Sequence, residues 1–333
     1  MRAISALTLS LLVLVVPSAG AADDCDRTCL RSTLTQYLSA VAAHDPAAAP
    51  LFAGFRQTEN AVVKKPGTGM WQTMTGLGKV QRFYMDPVTG QAAYFGIITE
   101  GAAEAIVTVR LRVERRKITE AEWYVGRRGD PSMNGPAQNG QGGNLFDPET
   151  LAANAPADKP LARDARVSRE EMIAATNSYF DGISTHDGTI IQAVPGCPRF
   201  ENGQIMAGRG VSTPAAPAPA AAAPAAGAPA GRGRGGPPPA ADCTAGLETI
   251  NIQFVAARRY PLVDEEAGVV MATAVFIRPP GRPQRRNAFA EWFYFDHGKI
   301  RSIYSAMFYP ADDVPLPNWP PYDGNWPVSK LER

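Results

Sequence analysis

Two stretches decide the fold: YLSAVAAHDPAAAPLFAGFRQTEN, from Tyr37 to Asn60, and YFDGISTHDGTIIQAVPGCPRFEN, from Tyr179 to Asn202. Displaced by 142 residues they align without a gap, and six of 24 positions are identical: Tyr37/Tyr179, His44/His186, Asp45/Asp187, Gly54/Gly196, Glu59/Glu201 and Asn60/Asn202. That agreement is well above chance, so the chain reads as two tandem copies of one module. Downstream the copies agree more loosely. Asp86 to Gly90 resembles Asp264 to Gly268, each a turn before a strand, and Lys117-Ile118 matches Lys299-Ile300, each opening a last strand.

Each copy opens with a helix. Leu30, Leu34, Tyr37, Leu38 and Val41 form an apolar stripe at helical spacing, as do Met172, Ile173, Thr176, Tyr179, Phe180 and Ile183. Ser168 with Glu171 three residues on is a capping box. Both helices stop at a His-Asp pair followed by Pro46 or Gly188, which open turns. Strands follow. Val107, Val109, Leu111 and Val113 alternate with Ile106, Thr108, Arg110 and Arg112, giving one continuously apolar face. Residues 79–86, 90–99, 104–114 and 117–127 read as an antiparallel meander in the first copy, and 249–260, 268–277, 287–297 and 299–309 in the second. Asp296-His297-Gly298 marks a tight hairpin. The fold class is therefore α+β: N-terminal helices packed on a curved antiparallel sheet, twice over, with a pocket between helix and sheet.

The first module spans residues 25–128, a linker 129–164, and the second module 165–310. Within the second, residues 212–241 hold 13 Ala, 8 Pro and 5 Gly out of 30, a composition too poor in large apolar groups to fold, and disorder is expected. Residues 311–333 form a tail rich in Pro and aromatics. Ahead of the modules, Arg2, the apolar run Ala3 to Val16 and the small residues Ser18 to Ala21 describe a cleavable signal peptide over 1–21. Cys25 follows Asp23 and Asp24 rather than the small residues of a lipoprotein signal, so a secreted or periplasmic protein without lipid anchor or membrane helix is expected. Export would let the four cysteines oxidise. Cys197 with Cys243 is the favoured bridge, and Cys25 can reach Cys29 only if it lies outside the helix.

Lysine plus arginine number 33 against 32 aspartate plus glutamate, a balance that argues against a nucleic-acid surface. No Cys-x-x-Cys occurs and the histidines are only three, so no metal or other cofactor is expected.

The run of helix, His-Asp, turn and a strand ending in Thr58-Glu59-Asn60 or Glu201-Asn202-Gly203, closed by the hairpin Glu291 to Ile300, resembles the SnoaL-like group with its cone-shaped, nuclear-transport-factor-two-like fold. Gly69-Met70-Trp71, Arg110-Leu111-Arg112, Arg258-Arg259-Tyr260-Pro261 and Val263-Asp264-Glu265-Glu266 make the mature chain similar to a secreted fungal and bacterial family defined as a domain of unknown function, number 8021. The resemblance implies tandem cone-shaped modules. It leaves the activity open, because relatives of this fold include cyclases, dehydratases, isomerases, lyases and inert binding or dimerisation modules.

The candidate chemistry rests on the repeated residues. His44 and His186, each beside an Asp, could act as general bases, or could simply complement a helix C-terminus. Glu59 and Glu201 could abstract a proton beside a carbonyl, with Asn60 or Asn202 holding the oxyanion, or could accept backbone N–H groups and pair with arginine. Arg110 and Arg259 could grip a ligand carboxylate if they face inward. Asp264, Glu265 and Glu266 read as a solvated turn. Trp71, Tyr84, Trp123, Tyr260 and Trp292 suit either a cavity wall or the core. Three functions remain open: an exported protein binding a small apolar or carboxylate-bearing molecule, a cofactor-free lyase, isomerase or cyclase, and a structural unit whose modules pack on each other or on a second chain.

Overall fold

The computed structural model describes residues 25–136, 143–208, 239–280 and 285–310. The expected signal peptide 1–21, the tail 311–333 and all but the last three residues of the 212–241 segment lie outside the described residues. The first copy runs α1 (Arg27–Ala42), β1 (Leu51–Glu59), β2 (Val62–Lys64), α2 (Met70–Thr73), β3 (Gly76–Asp86), β4 (Gln91–Glu100), β5 (Ala103–Glu114) and β6 (Lys117–Arg127). A short helix, α3 (Pro148–Ala153), lies between the copies. The second runs α4 (Arg169–Thr185), β7 (Arg199–Glu201), β8 (Gln204–Ala207), β9 (Phe254–Asp264), β10 (Val269–Ile277), β11 (Ala288–Asp296) and β12 (Lys299–Phe308).

The two six-stranded sheets have the orders β2-β1-β6-β5-β4-β3 and β8-β7-β12-β11-β10-β9, the same strand for strand. One expectation needs correcting: the sheets are mixed, because β1 pairs parallel with β6 and β7 with β12. The meander returns its last strand in the direction of the first, and no local pattern reports a pairing between strands so far apart in sequence. The expected strand 249–260 is also displaced. Residues Leu247–Thr249 form a turn of 3-10 helix and β9 continues to Asp264, through Pro261, which an edge strand tolerates.

Both helices start and stop as their residues dictate. Asp26 caps α1 by accepting the Cys29 N–H at 2.8 Å, and Ser168 and Glu171 form the reciprocal capping box of α4. His44 and His186 both take a left-handed backbone with φ of 58°, and Asp45 and Asp187 cap the turns that follow. Cys25 stands just ahead of α1 and bridges to Cys29, and Cys197 bridges to Cys243.

Each module has a core between its helix and one sheet face. Leu34, Tyr37 and Val41 of α1 meet Val107, Val109 and Trp123, while Tyr179, Phe180 and Ile183 of α4 meet Phe289, Phe293 and Ile303. A third core is shared. The sheet faces turned away from the helices pack on each other through Tyr84, Phe95, Phe200, Trp292, Tyr294 and Tyr304. The Tyr84 and Tyr294 hydroxyls meet at 2.7 Å and the Trp292 indole donates to the Thr108 hydroxyl at 2.8 Å. The second face of β5, expected to hold solvated or ligand-facing polar groups, is therefore buried by the other module.

Two reciprocal clasps close the junction. Arg27, first residue of α1, forks onto Asp264 at 2.8 and 2.9 Å, and Asp264 also accepts the Met85 N–H at 2.9 Å. Arg169, first residue of α4, binds Asp86 at 2.6 Å, and Asp86 accepts the Val263 N–H at 3.0 Å. The displacement that aligns the sequences also relates the two arginines, so the junction behaves like the isologous interface of a two-fold dimer. Asp264 is thus buried rather than part of a solvated turn, because its partners come from the other module.

Candidate functional site

The repeated residues of the opening stretch hold the backbone together. The His44 ring donates Nδ1–H to the Trp71 carbonyl at 2.6 Å, and His186 does the same to the Leu247 carbonyl at 3.0 Å. Each ties the end of its helix to the segment crossing the sheet. Asn60, with φ of 48°, donates to the Val125 carbonyl and accepts the Val125 N–H, at 3.0 and 2.8 Å. Asn202, with φ of 43°, treats Met307 likewise, at 2.8 Å both ways. The amides extend the parallel pairing where the backbone turns away. Glu59 accepts the Met70 N–H at 3.0 Å and pairs with Arg127 at 3.4 Å, so both its oxygens are engaged.

Arg110 and Arg259 converge between the sheets, away from the helix-side cores. Arg110 Nε reaches Glu122 at 3.0 Å and its NH1 the Gln91 side chain at 2.8 Å, while Arg259 reaches Glu122 at 2.5 Å. Burial works to raise the Glu122 carboxyl, but Arg259 and Arg110 outweigh it and hold it below the usual carboxylate range. Tyr84 and Trp292 belong to the shared core, and the Tyr260 hydroxyl bonds Asn177 of α4. A cleft of about 540 Å³ opens at the junction, between Arg27 and Arg31 on one side and Lys159 and Glu266 on the other. Its Arg27 is committed to Asp264, and the strongly perturbed carboxyl of the molecule lies elsewhere.

That carboxyl is Glu291. The Asn60 N–H bonds the Trp123 carbonyl and the Asn202 N–H bonds the Ser305 carbonyl, so Ser305 occupies the place of Trp123. Following the pairing outward, one row across the first sheet reads Glu59, Trp123, Val109, Tyr94. The corresponding row of the second reads Glu201, Ser305, Glu291, Ala272. In the first module the rings close a polar network. The Trp123 indole donates to the Tyr37 hydroxyl at 3.0 Å, and the Tyr37 hydroxyl and the Trp71 indole both donate to Gln57 Oε1, at 2.9 and 2.8 Å. In the second, Arg199 replaces Gln57 and donates to the Tyr179 hydroxyl at 3.2 Å while pairing with Glu201 at 3.0 Å.

Glu291 lies among these groups with its Oε2 buried and without a hydrogen-bond partner among the described residues. Burial pushes its carboxyl up to about 8, against the pull of Arg199 and with the help of Glu201. Burial also lifts the Tyr179 hydroxyl well above its ordinary value. Arg199 and Glu201 keep 19% and 14% of their side chains exposed, so the row reaches solvent at its β7 end.

Residues 165–307 match the family model described as Domain of unknown function (DUF8021). That stretch holds α4, the whole second sheet but its last residue, and the Glu201–Ser305–Glu291 row. No curated protein matches the chain. Among the described residues no group of His, Cys, Asp and Glu could hold a metal ion, and no helix is long and apolar enough to cross a membrane.

Glu291, Arg199 and Ser305 were not singled out by sequence reasoning as site residues. A signal was present: Glu291 interrupts the alternating run Phe289, Phe293, Phe295, and Arg199 against Gln57 is a charge difference inside the best-aligned stretch.

Proposed function

We propose that the chain is an exported small-molecule-binding protein whose second module carries the site, while the first is a filled copy that serves as its scaffold. The observation that carries this reading is the pair of rows: Ser305, Glu291 and Ala272 stand where the first module packs Trp123, Val109 and Tyr94. Cone-shaped SnoaL-like modules with the limits 25–128 and 165–310 are part of the proposal, supported by the shared strand order and by helices on one face of each sheet. Export is supported by two disulfides and by the apolar stretch from Ala3 to Val16. Acetophenone, followed by saturation-transfer NMR, tests the site: binding should vanish in Ser305→Trp and survive Glu59→Gln. Binding that ignores Ser305→Trp, or none at all, sinks the reading.

A second reading has one specific observation behind it. A carboxyl poised near 8 with an orphaned oxygen is suited to general acid–base work at neutral pH. Cofactor-free proton transfer would then appear as exchange of acetophenone α-protons in D2O, lost in Glu291→Gln. Exchange at the rate of buffer alone rules this reading out and leaves binding.

A further inference from the structure

The charges around the second module's row are unequal. Two guanidiniums, Arg199 and Arg278, face one ion-paired carboxylate, Glu201, while burial keeps Glu291 in its neutral acid form at pH 7. Arg199 uses NH1 for both Tyr179 and Glu201, which leaves the other edge of the fork to take a bidentate partner. Further along the same face, Arg278 donates NH1 to the Asn251 carbonyl at 3.0 Å, but its Nε is buried without a partner, as is Nδ2 of Asn287. These unmatched groups are donors, and the protonated Glu291 oxygen is another. A buried donor without an acceptor costs about 1–3 kcal/mol. An interior with surplus positive charge and surplus donors is matched by an anion with acceptor oxygens.

We infer that the second module takes a small monocarboxylate, held over Ser305 between the open edge of Arg199 and the acid oxygen of Glu291. This rests on the placement of the site in the second module proposed above. The small Ser305 side chain leaves the two groups facing one another across β12, where an indole stands between the corresponding positions of the first module. The apolar part of the ligand meets Phe289 and Phe293 on the same face of β11, which favours an aromatic or short aliphatic acid. A dicarboxylate would bring a second buried negative charge beside Glu201 and is disfavoured.

The groups facing Glu291 are Arg199 and Glu201 from β7 and Tyr179 from α4, with Ser305 beside it on β12 and Ala272 on β10. Only Glu291 changes charge between pH 6 and 9 among them, and its ionisation sets like charge against the ligand.

Calorimetric titration of the oxidised full chain with benzoate and its neutral isostere benzamide tests the inference without relying on any variant. Benzoate should bind at least ten-fold tighter than benzamide at pH 6, and at least ten-fold weaker at pH 9 than at pH 6. Arg199→Gln should remove the preference for benzoate, and Ser305→Trp should abolish both. Equal affinity for the two probes, with both lost in Ser305→Trp, overturns the anion and leaves the site. Benzoate binding that persists in Ser305→Trp, or no binding of either probe, overturns the inference and the second-module site together.

Discussion

The two modules share a strand order, a helix stop, a histidine strut and an asparagine stitch, yet one row across their sheets differs in kind. In the first module it is Glu59, Trp123, Val109 and Tyr94, and every polar group in it has a partner. In the second it is Glu201, Ser305, Glu291 and Ala272, with a buried carboxyl oxygen left over. Duplication supplied two equivalent scaffolds. What separates them is side-chain volume and charge at a few inward positions on an otherwise conserved backbone path, so similarity between the copies marks structure and difference marks the candidate site.

The comparison breaks most sharply at Trp123. Its indole packs in the first core and holds Tyr37, so Trp123→Ala should cost about 3–5 kcal/mol in chemical denaturation. Ser305→Trp is the converse. If the second module is open as proposed, stability should change by under about 1 kcal/mol, whereas a packed site would lose about 1–3 kcal/mol by overfilling. The disulfides come next. Cys197–Cys243 closes a loop between residues 46 apart in sequence, and its removal should cost about 4 kcal/mol on the loop-entropy account. Cys25–Cys29 spans only four, and its removal should cost about 2 kcal/mol. Equal losses from the two double Cys→Ser variants would contradict that asymmetry.

The clasps should show the opposite result, near equality. Asp264→Asn and Asp86→Asn each remove a charged acceptor from an arginine and a main-chain N–H of the other module, and each should cost about 2 kcal/mol. A large difference between them would mean that the junction is less symmetric than its bonds. The smallest effect per step is the pH dependence of Glu291. Its folded value of about 8 lies above the ordinary carboxyl value of 4.5, so the folded state binds the proton more tightly. Its contribution is complete below about pH 4.5 and is lost as pH rises towards 8, by at most about 1.4 kcal/mol per pH unit. Glu291→Gln should therefore gain stability relative to the parent between pH 5 and 8, as urea midpoints would show. A flat difference would place the carboxyl in an ordinary environment, and with it remove the main contrast between the modules.

The chain's local patterns determined a good deal. The 142-residue displacement, the helix stripes, the Ser168 capping box and the alternation in β5 specified two like modules of helix and sheet, because each is written within a few residues of itself. Cys197 with Cys243 was legible too. The parallel pairing of β1 with β6, the burial of Asp264 and the meeting of Arg110 with Arg259 on Glu122 were not, since each joins residues brought together only when the sheets close and stack. Only the tertiary structure could decide which polar residues matched by the alignment were struts and which mismatched ones faced inward. The sequence lists side chains at period two, but a face becomes a core, a junction or a site according to what packs against it. That depends on contacts whose partners are distant along the chain.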